Sequence, residues 1–263
     1  MAEGRPTFDD AESYERFMGQ WSRAVGMQFL EWLAPPKHAR WLDVGCGTGA
    51  FTELILNTCS PAAVVAIDPS PVQIEHARGQ PIGQRAEFHV ADSQALSFPD
   101  GSFDVVASAL VINFIPNRPK ALAEMRRVAA PGAMVGGYVW DFTGNGEPYA
   151  PVRRALSQNE IELPPTAGAE DSSLDALNAL FGRVGFKDIA TKAIRVTRTF
   201  ADFDDFWQAN TPRFHHVGKA TIEGLSDAQR NRVIEATRSG LPTGPDGSIA
   251  CTARANAIKA RAP

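Results

Sequence analysis

Three glycines at alternate positions, Gly45, Gly47 and Gly49, follow directly on the apolar run Trp41-Leu42-Asp43-Val44 and lead into Phe51 to Leu56. The stretch reads as a short buried strand, a tight turn and the start of a helix. Glycine removes a Cβ where the backbone must turn sharply and lets a ligand lie against the main chain. The unpaired N–H groups at the helix start face the same spot. Asp43 ends the strand just before the glycines. A carboxylate there disfavours a diphosphate and favours a cationic amine. Gly45, Gly47 and Ala50 also fit the dinucleotide fingerprint G-x-G-x-x-G/A, and Asp68 stands about 20 residues on, where a ribose-binding carboxylate is expected. Two kinds of nucleotide ligand therefore remain open from this stretch alone.

The rest of the chain narrows the choice. Strands are expected at 40–44, 64–67, 86–90, 103–107 and 134–139, with helices near 50–58, 71–79 and 119–129 between them. Residues 93–102 form a loop. Such alternation predicts a parallel sheet with right-handed crossovers and helices on both faces. In these sheets ligands sit outside the carboxyl ends of the strands. Those ends carry Asp43 and the glycines, Asp68-Pro69-Ser70, Asp92-Ser93, Ser108-Ala109-Leu110 and Trp140-Asp141. Polar and glycine residues at successive strand ends form one constellation. By contrast, Asp104 begins a strand far from those ends, and its expected role is structural.

Before the first strand, residues 9–33 read as one or two helices with Phe17, Trp21, Val25 and Phe29 on one face. The arm also carries Tyr14, Arg16 and Arg23 and can fold back over a ligand. Beyond the fifth strand, 142–172 is rich in glycine and proline and reads as an irregular lid with a short helix near 151–160. A helix at 173–184, a strand at 186–196, helices near 218–223 and 226–239, and a closing strand at 248–259 complete the chain. The last two strands are expected to add an antiparallel edge hairpin.

Size and charge exclude several classes. The 263 residues allow one large domain. A net charge of −4 offers no basic field for nucleic acid. No apolar run reaches the roughly 18 residues needed to span a bilayer, and the N-terminus lacks an apolar signal core. Cys46, Cys59 and Cys251 are scattered, which suggests a reducing compartment and no metal site. A cytoplasmic protein without a membrane partner is the expectation. Cys46 lies inside the glycine turn, but no histidine stands near it in sequence to make it a nucleophile.

At this point the motifs resemble a known family. Leu42-Asp43-Val44-Gly45-Cys46-Gly47-Thr48-Gly49 is similar to the first motif of class I S-adenosylmethionine-dependent methyltransferases. Ala66-Ile67-Asp68-Pro69-Ser70 resembles their second acidic strand end. Residues 91–106 and 124–133 resemble the type 11 subgroup that includes quinone-biosynthesis methyltransferases, with Ala133 where a second glycine is usual. The resemblance is strong over about 40–140 and looser beyond. It implies a single domain with a Rossmann-like seven-stranded, mostly parallel sheet. Within it, 1–36 is an arm, 37–141 the cofactor-binding core, and 142–172 and 201–245 the lid and acceptor segments.

The resemblance also implies roles. S-adenosyl-L-methionine is the expected cofactor. Gly45, Cys46, Gly47 and Gly49 would pack against its methionine and ribose portion, and Asp43 would favour its ammonium. Asp68 would accept both ribose hydroxyls, with Pro69 and Ser70 beside it. Asp92 and Ser93 would serve the adenine edge, and Ala109, Leu110 and Phe114 would line the pocket. Tyr14, Trp21 and Arg23 of the arm would close over the cofactor. The acceptor is expected to be a small molecule, methylated on O, N or C. His215, His216 and Asp141 are the candidate bases, and Trp207, Phe206 and Phe214 suggest an aromatic acceptor. A nucleotide-binding oxidoreductase and a non-catalytic cofactor-binding regulatory module are the competing readings.

Overall fold

The fold is described from a computed structural model, for residues 19–210 and 221–263. Helix α1 (Gln20–Leu33) leads to β1 (Arg40–Val44), α2 (Ala50–Thr58), β2 (Ala63–Asp68) and α3 (Pro71–Gly79). Strands β3 (Glu87–Val90) and β4 (Phe103–Ala109), helix α4 (Arg118–Val128) and β5 (Ala129–Trp140) follow. The remainder is α5 (Ala150–Gln158), α6 (Leu174–Val184), β6 (Lys187–Phe200), α7 (Phe203–Asn210), α8 (Asp227–Ser239) and β7 (Ile249–Arg261).

The seven strands form one sheet in the order β3-β2-β1-β4-β5-β7-β6. Strands β1 to β5 pair parallel, whereas β7 runs antiparallel to both β5 and β6. The closing hairpin is therefore as expected, but β7 is an interior strand and β6 the edge. Strand order reverses between β1 and β4, which opens a crevice at their carboxyl ends.

Local signals explain most boundaries. Ser70 caps α3, its side chain accepting from the Gln73 N–H, with Pro71 in the first turn. Asn117 caps α4 in the same way through the Lys120 N–H. Ser173 caps α6, and Gly185 ends it at φ 91°. Ser226 and Gln229 form a capping box on α8. One boundary departs from expectation: the fifth strand, expected at 134–139, runs through Pro131-Gly132 as well. Strand β5 already starts at Ala129, and a register irregularity between Phe103 and Val105 absorbs the mismatch with β4.

Alternation along the strands sends side chains to two cores. Trp41, Val105 and Tyr138 pack on one face with Val25 and Phe29 of α1 and Phe51 of α2. Leu42, Val106 and Val139 pack on the other with Leu122 and Met125 of α4 and Leu180 and Phe181 of α6. Each such side chain, fully withdrawn from water, contributes about 1.5–3 kcal/mol. The first core continues past the sheet ends into Phe142, Tyr149, Val152 and Leu156 and into Phe200, Phe203 and Phe206.

The 142–172 segment is consequently packed and tied down. Ser172 Oγ accepts from the Phe142 N–H at 3.1 Å and donates to the Ala169 carbonyl at 2.7 Å. Arg118 pairs with both Glu170 and Asp171. At the opposite end of the sheet Asp104 accepts from the Arg40 N–H and guanidinium, the structural role its position implies.

Candidate functional site

The glycine turn closes against the tip of β2. The Gly45 and Cys46 N–H groups both donate to the Ile67 carbonyl, at 2.8 and 2.9 Å. Gly45 adopts φ 77°, and a Cβ there would meet the Val111 side chain at 2.5 Å. Gly47 adopts φ 55°, yet a Cβ there would meet nothing within 4 Å. The first glycine is thus needed for close packing within the protein, and the second borders open space.

Asp68 stands across the turn. Its Oδ2 accepts from the Gly47 N–H at 3.0 Å and its Oδ1 from the Ser70 N–H at 2.9 Å. Burial raises its pKa, and the two backbone donors oppose that rise. Among the described residues no side chain is paired with it, and both oxygens keep acceptor capacity toward a diol.

Asp43 is fully buried, and its Oδ2 accepts from Thr52 Oγ1 at 2.6 Å. Its Oδ1 is buried with no hydrogen-bond partner among the described residues. Burial, with the nearby Asp68 charge adding to it, pushes the Asp43 pKa up to about 7 despite the Thr52 hydrogen bond. A buried acceptor with an unused oxygen is costly unless a donor arrives, and an ammonium fits that need.

The neighbouring strand ends complete the crevice. Ser108 Oγ donates to the Val44 carbonyl at 2.9 Å and pins β4 to β1. Leu110 takes a left-handed φ of 60°, held by its N–H to the Tyr138 carbonyl at 2.8 Å. Such a conformation costs a non-glycine residue about 1–2 kcal/mol. It directs the chain so that Val111 meets the glycine turn. Asp92 is half-buried and accepts from the Gln94 backbone N–H at 2.9 Å and from its side-chain amide. Phe114 faces Phe142, with ring centroids 6.4 Å apart.

The other expected residues divide. Trp21 is buried in the core beside α1's Val25 and Phe29, with its indole N–H unpartnered among the described residues. Arg23 lies half-buried on the same helix. Tyr14, His215 and His216, with Phe214, lie outside the described residues.

Asp141, a candidate base, already has partners on both carboxylate oxygens. It is buried, ion-paired to Arg254, and accepts from Thr143 Oγ1 and the Gly144 N–H. A carboxylate held on both oxygens has partners that a base would have to exchange for substrate. Cys46 is also settled: burial first, then the charges of Asp43 and Asp68, drives its pKa well up, so the thiolate nucleophile is disfavoured.

Sequence reasoning missed three residues. Thr52, one turn into α2, is recognisable only because the helix brings it back to Asp43. Val111 is ordinary until it meets Gly45. Glu147 sits in a glycine- and proline-rich stretch, yet its side chain has no exposed surface. Among the described residues, no group of three or more His, Cys, Asp or Glu side chains is placed to hold a metal, and no helix is long and apolar enough to cross a membrane.

Comparison with known proteins agrees with this geometry. Residues 42–135 match the family described as a methyltransferase domain. Malonyl-[acyl-carrier protein] O-methyltransferase of Halorhodospira halophila is 36% identical over 135 residues, 50% of this chain and 45% of that one. The ubiquinone/menaquinone biosynthesis C-methyltransferase of Dinoroseobacter shibae is 35% identical over 39% of this chain and 43% of its own. The chain thus spans about half the length of the curated relatives it matches. Haemonchus contortus phosphoethanolamine N-methyltransferase 2, solved with S-adenosyl-L-methionine, superposes with a TM-score of 0.61 at 18% identity, over 100% of this chain and 60% of that one. Residues 42–135 therefore match a methyltransferase domain, in a chain that shares the fold of a solved methyltransferase.

Proposed function

We propose that this chain transfers a methyl group from S-adenosylmethionine to a small-molecule acceptor. The observation that carries the reading is the pair of carboxylates flanking open space at Gly47: Asp68 held by two backbone N–H groups, and Asp43 with one oxygen unpartnered. These residues fit the cofactor. Asp43 would hold the ammonium, Asp68 the ribose hydroxyls, and Asp92 the adenine edge. Leu110 would line the pocket of the base, and Phe114 would face the acceptor. When bound, the cofactor supplies an activated methyl group on a sulfonium. The chain's own work is alignment and exclusion of water, which the aromatic core beyond β5 favours.

The relatives' printed names include a malonyl-[acyl-carrier protein] O-methyltransferase and a ubiquinone/menaquinone biosynthesis C-methyltransferase. They support a metabolite acceptor for this chain without choosing among O, N and C. The test is calorimetry with S-adenosylhomocysteine, followed by turnover of labelled methyl groups on a metabolite panel. Binding with turnover supports the reading. Binding of a nicotinamide cofactor instead favours an oxidoreductase, and binding without any turnover favours a regulatory module.

A further inference from the structure

Parallel pairing of β2 and β3 brings Asp68 and Asp92 to the same edge of the sheet. Val90, two residues before Asp92, is in register with Asp68. The Ala91 N–H then donates to the Asp68 carbonyl at 3.1 Å. Asp92 therefore continues the row of carboxylates that starts at the glycine turn, at the end where the base of the cofactor would lie.

Gln94 holds that carboxylate in place. Its backbone N–H donates to Asp92 Oδ1 at 2.9 Å, closing a local turn in which an aspartate bonds the main chain two residues on. Its side-chain amide reaches back across both oxygens, with Nε2 3.0 Å from Oδ1 and 3.1 Å from Oδ2. The other end of the amide is fixed as well, because Oε1 accepts from the Asn117 N–H at 3.1 Å. A backbone N–H can only donate, so it takes Oε1 and turns the amide donors toward Asp92. Asn117 is itself anchored, since its side chain caps α4 through the Lys120 N–H at 3.0 Å. Gln94 thus ties the loop after β3 to the segment that runs from Leu110 into α4.

The rest of the loop has its own supports. Arg127 donates to the Leu96 and Phe98 carbonyls, both at 2.8 Å. Glu124 accepts from the Leu96 N–H at 2.8 Å, and the Gly101 N–H donates to the Arg127 carbonyl at 3.0 Å. Helix α4 therefore fixes residues 96–101 without Gln94. What Gln94 adds is local: it sets the direction in which one carboxylate presents its acceptor lone pairs.

We propose that Gln94 is a positioning residue for base selection: by orienting Asp92 it makes the site accept from the exocyclic amino group of adenine and reject a purine that carries a carbonyl at the same carbon. A site built to hydrogen-bond one group discriminates strongly against an analogue that cannot answer it. A carboxylate left to turn loses the contact with the amino group and also escapes the repulsion of the carbonyl oxygen, so discrimination shrinks from both sides. The inference rests on the methyltransferase reading and deepens it by naming the residue behind the base contact.

The probes are S-adenosylhomocysteine and S-inosylhomocysteine, whose base has a carbonyl in place of the amino group, each titrated calorimetrically into the full chain. The wild type is expected to bind the amino form at least tenfold tighter. Gln94→Leu removes the amide and is expected to weaken S-adenosylhomocysteine about tenfold while S-inosylhomocysteine stays within twofold of its wild-type affinity. Gln94→Glu keeps an acceptor for the Asn117 N–H but removes the side-chain donors that face Asp92, and should narrow the ratio in the same way. If Gln94→Leu does not fold, Gln94→Glu carries the comparison. A purely structural residue would weaken both ligands together and lower the melting temperature; an unmoved ratio of that kind overturns the proposal. A wild type that binds both ligands alike also overturns it. A wild type that binds neither removes the methyltransferase reading, and this inference with it.

Discussion

Thr52 Oγ1 donates to Asp43 Oδ2 across 2.6 Å inside the protein and leaves Oδ1, the other oxygen of a fully buried carboxylate, without a partner among the described residues. One helix turn thus satisfies half of an anion and leaves the other half for a ligand. The consequence is a titrating group at the centre of the site.

The Asp43 pKa of about 7 lies above its ordinary 3.8. Over that interval the folded chain binds a proton that the unfolded chain has released, so this residue's contribution to stability falls as pH rises from about 4 to about 7 and is flat above. An ammonium ligand requires the ionised form. Binding of S-adenosylhomocysteine at pH 6 is therefore expected to release close to one proton, and at pH 8 almost none. Calorimetry in buffers of different ionisation enthalpy measures this directly. Asp43→Asn is expected to abolish the proton release and weaken affinity at least tenfold.

Asp68→Ala removes two acceptor oxygens and strands the Gly47 and Ser70 donors. Hydrogen bonds to a charged group are worth about 1.5–3 kcal/mol each. Affinity for S-adenosylhomocysteine is expected to fall by about a hundredfold or more in equilibrium titration. Adenosine lacking its ribose hydroxyls, used as a competitor, should then discriminate little between wild type and variant.

The glycines separate fold from ligand. Gly45→Ala drives a Cβ into Val111 and should lower the melting temperature, with partial recovery in the double variant with Val111→Ala. Gly47→Ala faces open space in the protein and carries only the left-handed backbone cost of about 1–2 kcal/mol. It should fold, yet lose S-adenosylhomocysteine affinity by more than that stability loss accounts for. Thermal melts and titrations on the same preparations make the comparison.

If Asp141 is a structural anion, Asp141→Asn should reduce stability by roughly 1–3 kcal/mol. The upper end for breaking a buried pair is not expected, because the Arg254 side chain is 37% exposed and partly screened by water. The remaining folded protein should keep its cofactor affinity. Chemical denaturation and titration together check this, and a large loss of turnover with unchanged stability would mark Asp141 as a base.

Much of this protein was legible in the amino-acid order. Trp41 to Val44 reads as a short buried strand. The glycines after it and the acidic residues ending β1, β2 and β3 mark one edge, because parallel strands present all their carboxyl ends together. Ser226 announces a helix start through a side chain that bonds its own nearby backbone. These signals are local, and local chemistry survives without a fold.

Tertiary structure decided what depends on distant residues meeting. It placed β7 between β5 and β6, since strand order depends on which apolar faces must be covered together. It brought Thr52 to Asp43 and Val111 to Gly45. It paired Asp141 with Arg254, 113 residues away. It also carried Glu147 and Arg153 out of water from a stretch whose composition suggested a loose lid. The physical reason is the same in each case: sequence states which groups a residue brings, but burial and partners fix its charge, its free lone pairs and hence its chemistry.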